Sequence, residues 1–222
     1  MCGQFACLVE QTRAREPGKK QAAGISVVKT GTNQLASVFS TRPVGVALCN
    51  IPYTMSLVLY IVRHAKAEDR SVFGSDHDRE LIPEGIMAAA RVGRFLHTKS
   101  IRPEVLISST AHRARDTAKV MAEQLGIDPA TIQLDAQLFD GGPKAYLAAV
   151  NALPDSAQSA MLVGHNPDVS YFAEFLTHQS VGSMRKGAVV AVTFEGLRWA
   201  EVSGRTGSVS LTTTPGELPK EA

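Results

Sequence analysis

The chain has 222 residues, 44% of them hydrophobic and 20% charged, with a formal net charge of +2; that is room for one α/β domain plus additional chain. The near-neutral balance gives no electrostatic reason to bind nucleic acid, and no apolar run reaches the roughly 18–20 residues needed to cross a bilayer. All three cysteines (Cys2, Cys7, Cys49) precede residue 55 and all six histidines (His64, His77, His97, His112, His165, His178) follow it, which excludes a disulfide framework, a cysteine nucleophile and a cysteine-ligated zinc from the second part.

Residues 1–54 carry six basic residues (Arg13, Arg15, Lys19, Lys20, Lys29, Arg42) against two acidic ones (Glu10, Glu16), and show no sustained periodicity. They read as a poorly ordered extension: either a basic, acid-poor organelle transit segment or a stretch ahead of a true start at Met55. The expected location is the cytoplasm, or an organelle if the transit reading holds. Residues 55–222 are expected to form the working domain.

Ser56–Val62 is a continuous apolar, β-rich run, as in a strand buried on both faces. Pro83–His97 follows as a helix with proline in its first turn and Ile86, Ala89, Ala90, Gly93 and Leu96 on one side. Glu104–Ser108 is a second strand and His112–Leu125 a second helix stopped by Gly126. A short strand at Ile132–Leu134, a helix over Pro143–Leu153, a strand at Ala160–Val163 and a helix from Pro167 to Leu176 complete the alternation. Ala188–Phe194 and Leu197–Val202 read as a hairpin about Glu195-Gly196, with a polar tail from Gly204. Alternating strands and helices predict a three-layer α/β sandwich, a mostly parallel central sheet with helices on both faces.

Ligands of such sheets bind beyond the carboxyl ends of the strands, and the residues found there define a chemistry. Arg63 and His64 follow the first strand, Ser109 and Arg113 the second, and Gly164 and His165 the third. Two guanidiniums make a site for phosphate oxygens, reinforced by free N–H groups at the helix start beside Arg113. An unprotonated imidazole can attack phosphorus, and a protonated second one can stabilise the equatorial oxygens. This chemistry needs neither metal nor organic cofactor. A proton donor for the leaving group is sought among Asp140, Asp76 and Asp78; a phosphoramidate leaving nitrogen needs less help.

The same residues resemble the histidine phosphatase superfamily, also called phosphoglycerate mutase-like. Arg63-His64-Ala65 is similar to its Arg-His-Gly signature, Ser108-Ser109 through Arg113-Ala114 and Thr117-Ala118 to its second segment, and Gly164-His165 to its second histidine. Arg63-His64-Ala65-Lys66-Ala67-Glu68, Asp76-His77-Asp78-Arg79-Glu80-Leu81 and Gly164-His165-Asn166-Pro167 resemble the branch of SixA-type phosphohistidine phosphatases. The resemblance spans about Ser56 to Leu218. It implies His64 as nucleophile, Arg63 and Arg113 as phosphate ligands, His165 as transition-state stabiliser, Arg79 as a further phosphate contact and Asp140 near the acid position; Ser109 is a candidate phosphate donor. Ala65 replaces the signature glycine, and Thr110 stands where a proline is frequent. The implied partner is a phosphohistidine-bearing protein or a small phosphoester, reached through an open, shallow pocket. His77, His97, His112 and His178 read as surface or helix-face residues. Two other readings remain: a metal-dependent phosphohydrolase built on Asp76-His77-Asp78, and a non-catalytic phosphate-binding module.

Overall fold

Apolar β-rich segments alternating with amphipathic helices form, in the computed structural model, six strands and five helices over residues 56–69 and 75–219, the residues the structure describes. In chain order these are β1 (Ser56–Arg63), α1 (Pro83–Thr98), β2 (Val105–Ser109), α2 (His112–Gln124), β3 (Gln133–Asp135), α3 (Gln137–Asp140), α4 (Gly142–Asn151), β4 (Ser159–Gly164), α5 (Asp168–Thr177), β5 (Val189–Glu195) and β6 (Ser208–Thr213). Single 3-10 turns lie at Asp76–Asp78, Pro129–Thr131 and Trp199–Glu201. The expectations for residues 1–54 lie outside the described residues.

The strands form one sheet in the order β3-β2-β4-β1-β5-β6. β3, β2, β4 and β1 are mutually parallel, β5 runs antiparallel to β1, and β6 antiparallel to β5. Period-2 alternation along β1 divides its side chains between two cores. Leu57, Leu59 and Ile61 join α4, α5 and Trp199 on one face. Tyr60 and Val62 join α1 and α2 on the other. The three-layer expectation is met.

Two local expectations are not. On α1 the buried side carries Gly85, Ala89, Val92, Gly93 and Leu96, whereas Ile86 is exposed. Gly85 meets the loop after β1 so closely that a Cβ there would lie 1.9 Å from the Lys66 carbonyl oxygen, which rotates the helix face toward Gly85.

Leu197–Val202 is not a strand either. The chain turns at Gly196, in the left-handed region at φ +66°, and Trp199 then drops into the core with its Nε1–H donating to the Ala157 carbonyl at 2.7 Å. The Asn151 amide donates to the Trp199 and Val202 carbonyls at 2.7 and 2.9 Å. Burying an indole removes on the order of 200 Å² from water, ~5 kcal/mol, against at most ~1 kcal/mol for a cross-strand pair. The partner of β5 is instead β6, inside what the sequence reads as a polar tail. Its alternately exposed residues are those of an edge strand.

Candidate active site

The order β2-β4-β1 places three carboxyl ends side by side. Arg63 is the register partner of Gly164, so His64 and His165 leave adjacent strands at the same level. The His64 N–H donates to the Gly164 carbonyl at 2.9 Å, and the two imidazole centroids stand 5.1 Å apart. Both rings are almost fully buried, at 7% and 6% exposure.

His64 Nδ1 lies 2.8 Å from the Ala65 carbonyl oxygen. A carbonyl can only accept, so Nδ1 carries the proton and Nε2 keeps its lone pair. Burial, then the neighbouring His165, Arg113 and Arg63, push the His64 pKa down to about 3. The imidazole is therefore neutral at pH 7, the form that attacks. The following turn is held by Thr117, which accepts the Ala65 N–H at 3.0 Å and donates to the Arg113 carbonyl at 2.6 Å. The nucleophile's backbone and the arginine's helix are thus tied together.

His165 Nε2 is 2.9 Å from the Ser109 hydroxyl, while its buried Nδ1 has no protein partner. Burial, then the charge of Arg113, take its pKa down to about 3. The protonated, charge-stabilising state therefore requires an anion to offset the arginines. The backbone N–H of His165 donates to the Tyr146 hydroxyl at 3.1 Å, and that hydroxyl donates to the Leu138 carbonyl at 2.9 Å.

Arg63 reaches the Met184 carbonyl with Nη1 at 2.6 Å, and Arg113 engages the Asp76 carbonyl and carboxylate through its two terminal nitrogens, the latter at 2.8 Å. In each guanidinium the Nε is buried without a partner. Buried polar groups are nearly always satisfied. Three such groups, Arg63 Nε, Arg113 Nε and His165 Nδ1, belong to the side chains whose charge acts on His64, and a tetrahedral oxyanion offers the oxygens they lack.

The remaining candidates divide. Ser109 is fully buried, with its hydroxyl between His165 and the Ala111 N–H. Arg79 has all its nitrogens engaged: Nη1 with Asp76 Oδ1 at 2.8 Å, and Nε and Nη2 with the Glu68 carbonyl. Asp76 thereby bridges Arg79 and Arg113. The Arg79 hydrogen bond leads in holding its carboxyl below the ordinary range, with the Arg113 charge adding to it. Asp140 ends α3 exposed to solvent. The residue before it, Phe139, is the one that enters the site, its ring edge-on to His165 at 5.5 Å and beneath the Arg113 guanidinium at 5.7 Å.

The sequence assigned no role to Phe139 or Tyr146, matched Thr117 to a family segment without a role, and left Asp76 as a turn residue, an acid or part of a metal site. Gly164 held the one available signal, because glycine at a strand end marks a close approach. A Cβ there would stand 2.0 Å from the Tyr146 hydroxyl. His77 and His112 are not bland surface residues: the His77 ring packs on Phe139 at 5.2 Å and on His112 at 5.9 Å. A cleft of about 490 Å³ lined by Met184, Arg185 and residues of β5 and β6 includes none of the site's histidines.

Comparison with known proteins bears on the family and the fold. The sequence model of the histidine phosphatase superfamily (branch 1) matches residues 59–140. An uncharacterized protein of Picosynechococcus sp. is 31% identical over 60% of this chain and 83% of its own. An uncharacterized chloroplastic protein of Arabidopsis thaliana is 28% identical over 82% of this chain and 87% of its own. Among solved structures, a candidate phosphohistidine phosphatase SixA from Nakamurella multipartitia superposes with a TM-score of 0.60 at 26% identity, covering 72% of this chain and 96% of that one.

Proposed function

The chain belongs to the histidine phosphatase superfamily, in its SixA-type branch, and from that premise we propose that this phosphatase hydrolyses a phosphohistidine or a small phosphomonoester through a covalent phosphohistidine on His64. The observation that carries the reading is the set of buried, partnerless donors on the side chains whose charge acts on a neutral imidazole with a free Nε2.

Arg63, Arg113 and His165 bind the phosphoryl oxygens, and Ser109 holds the His165 ring. The Nε2 lone pair of His64 forms a bond to phosphorus as the bond to the leaving nitrogen or oxygen breaks. The dianionic substrate raises the His165 pKa, so that its imidazolium offsets charge on the equatorial oxygens. Water then attacks phosphorus on the opposite side and loses a proton, the P–N bond to His64 breaks, and inorganic phosphate leaves. No step calls on a metal, since side-chain cations do the electrostatic work.

The choice of phosphohistidine rests on the proton inventory. Asp76 is held ionised by two arginines, which leaves the exposed Asp140 as a candidate acid, so a substrate whose leaving nitrogen is protonated before cleavage asks less of the site than an alkyl ester. The natural partner is then a protein bearing phosphohistidine. For residues 1–54 we favour the transit-segment reading. It is supported by their basic composition and by the chloroplastic description of the Arabidopsis relative, whose match takes in more of this chain than residues 55–222 supply.

The test is turnover of an aryl phosphate and of a phosphohistidine protein in EDTA, beside His64→Ala. The expected result is metal-independent turnover that vanishes in the variant and favours the phosphohistidine protein. Activity lost to EDTA would put the metal-dependent hydrolase in its place, and phosphate binding without turnover the binding module.

A further inference from the structure

We propose that His77, Asp78 and His112 form a site for a transition-metal cation of the zinc class, on the rim of the phosphate site. One imidazole nitrogen from each histidine and a carboxylate oxygen of Asp78 lie within 4.8 Å of one another. His77 Nδ1 is 3.3 Å from Asp78 Oδ1, and His112 Nε2 is 4.0 Å from the same oxygen. Metal–ligand bonds of ~2.0–2.1 Å in a tetrahedral shell put neighbouring donors ~3.3 Å apart. The His77–Asp78 pair already has that separation, and His112 Nε2, within 4.8 Å of the other two donors, closes on them by rotation of an imidazole that is 31% exposed.

The surroundings match those of a ligand set. Metal-binding histidines generally hold their second ring nitrogen in a hydrogen bond that fixes the tautomer. His77 Nε2 is 2.9 Å from the Thr110 hydroxyl. A carboxylate can only accept, so without metal Nδ1 donates its proton to Asp78; a cation takes that proton's place, and the remaining ring proton on Nε2 is then donated to Thr110. His112 Nδ1 is buried without a protein partner, so that ring lacks such a hold, and Nε2 is its accessible nitrogen. Among the described residues the ion pairs of Asp78 are with the two imidazoles alone, whereas Asp76 is bound to two arginines. Among the described residues, then, no guanidinium neutralises the charge of Asp78.

Two imidazoles and one carboxylate are donors suited to zinc and its neighbours rather than to magnesium or calcium, which take oxygen. Three protein ligands leave a fourth position for water or for an oxygen of an approaching ligand. Two ligands come from one 3-10 turn and the third from the start of α2, 34 positions on from Asp78 in the chain, so only the fold assembles the set. The site borders the phosphate ligands through Thr110 and Phe139 and is separate from the reacting nitrogen of His64. The proposal does not depend on the histidine mechanism.

The experiment is titration of the metal-free full chain with Co²⁺ alone and then Zn²⁺ alone, read by visible absorption and calorimetry. The expected result is one equivalent of Co²⁺ with the strong visible bands of a low-coordinate site, displaced by Zn²⁺. His112→Ala and Asp78→Asn should each weaken binding at least about tenfold, and Thr110→Val should do so by loosening His77. Melting by circular dichroism and aryl phosphate turnover in EDTA should stay near the parent in His112→Ala. Absence of saturable binding at millimolar metal, six-coordinate Co²⁺ spectra, or unchanged affinity in both ligand variants would overturn the site.

Discussion

The Tyr146 hydroxyl stands between two backbone groups of the active site, accepting the N–H of His165 at 3.1 Å and donating to the Leu138 carbonyl at 2.9 Å. It couples α4 to the second histidine and to the segment that carries Phe139. The tyrosine is fully buried, and burial pushes its phenol pKa well above the ordinary value, so it remains a neutral donor. Tyr146→Phe should leave a buried N–H and a buried carbonyl unpaired, at ~1–3 kcal/mol. Its kcat should fall about tenfold with little change in KM. A variant that is destabilised yet turns over like the parent would show that Tyr146 only packs.

Gly164 is the other half of that relationship. Gly164→Ala should destabilise by roughly 1–3 kcal/mol, the usual range for overpacking, and displace His165. Removing the hydroxyl should not rescue it, because an added Cβ would also lie 2.6 and 2.7 Å from ring carbons of Tyr146. Urea unfolding of the single and double variants decides this; full recovery in Gly164→Ala/Tyr146→Phe would refute the steric account.

The arginines should show their value through anions. Phosphate or tungstate at a hundred times its Kd stabilises by ~2.7 kcal/mol, read as a rise in melting temperature. Arg113→Lys keeps the charge but loses the buried Nε–H and the fork gripping Asp76. It should lose most of that rise and on the order of a hundredfold in kcat/KM. A parent-like shift in Arg113→Lys would mean the anion is bound elsewhere.

These side chains also mark what a single sequence reveals. His64, His165, Arg63, Arg113 and Ser109 were legible because buried strands announce themselves as apolar runs, and in a parallel sheet function follows the strand end. Tyr146 and Phe139 were not, since an aromatic residue in a helix has the same local signature whether it packs or positions. β6 was hidden by its polarity and by Trp199, whose burial overrode a hairpin pattern. The pairing of His112 with Asp78 is tertiary, and no local spacing encodes it.

Acid should affect the protein in a defined direction. The pKa values of His64 and His165 are lowered to about 3 from 6.5. Between those limits the unfolded chain binds more protons, so stability rises with pH and is lost as pH falls from about 6.5 toward 3. The slope is at most ~1.4 kcal/mol per pH unit for each histidine. His165→Gln should therefore lose less stability than the parent between pH 6.5 and 5. For catalysis, kcat/KM corrected for the substrate's own ionisation near ~6 should show no loss of nucleophile between pH 7 and 5. An acid limb centred near 6.5 would mean that His64 is not held neutral by its surroundings.

Asp140 separates the two classes of substrate. If the leaving nitrogen of phosphohistidine arrives protonated, the enzyme needs no carboxylic acid to expel it, whereas an alkyl alkoxide does. Asp140→Asn should then leave phosphohistidine turnover within about twofold of the parent and reduce alkyl phosphate turnover at least about tenfold, within the range general acids contribute. An aryl phosphate with a good leaving group should fall between. Equal losses on all three substrates would assign Asp140 to shaping the loop that carries Phe139. No loss on the alkyl ester would remove it as the acid and leave protonation to the substrate or to solvent.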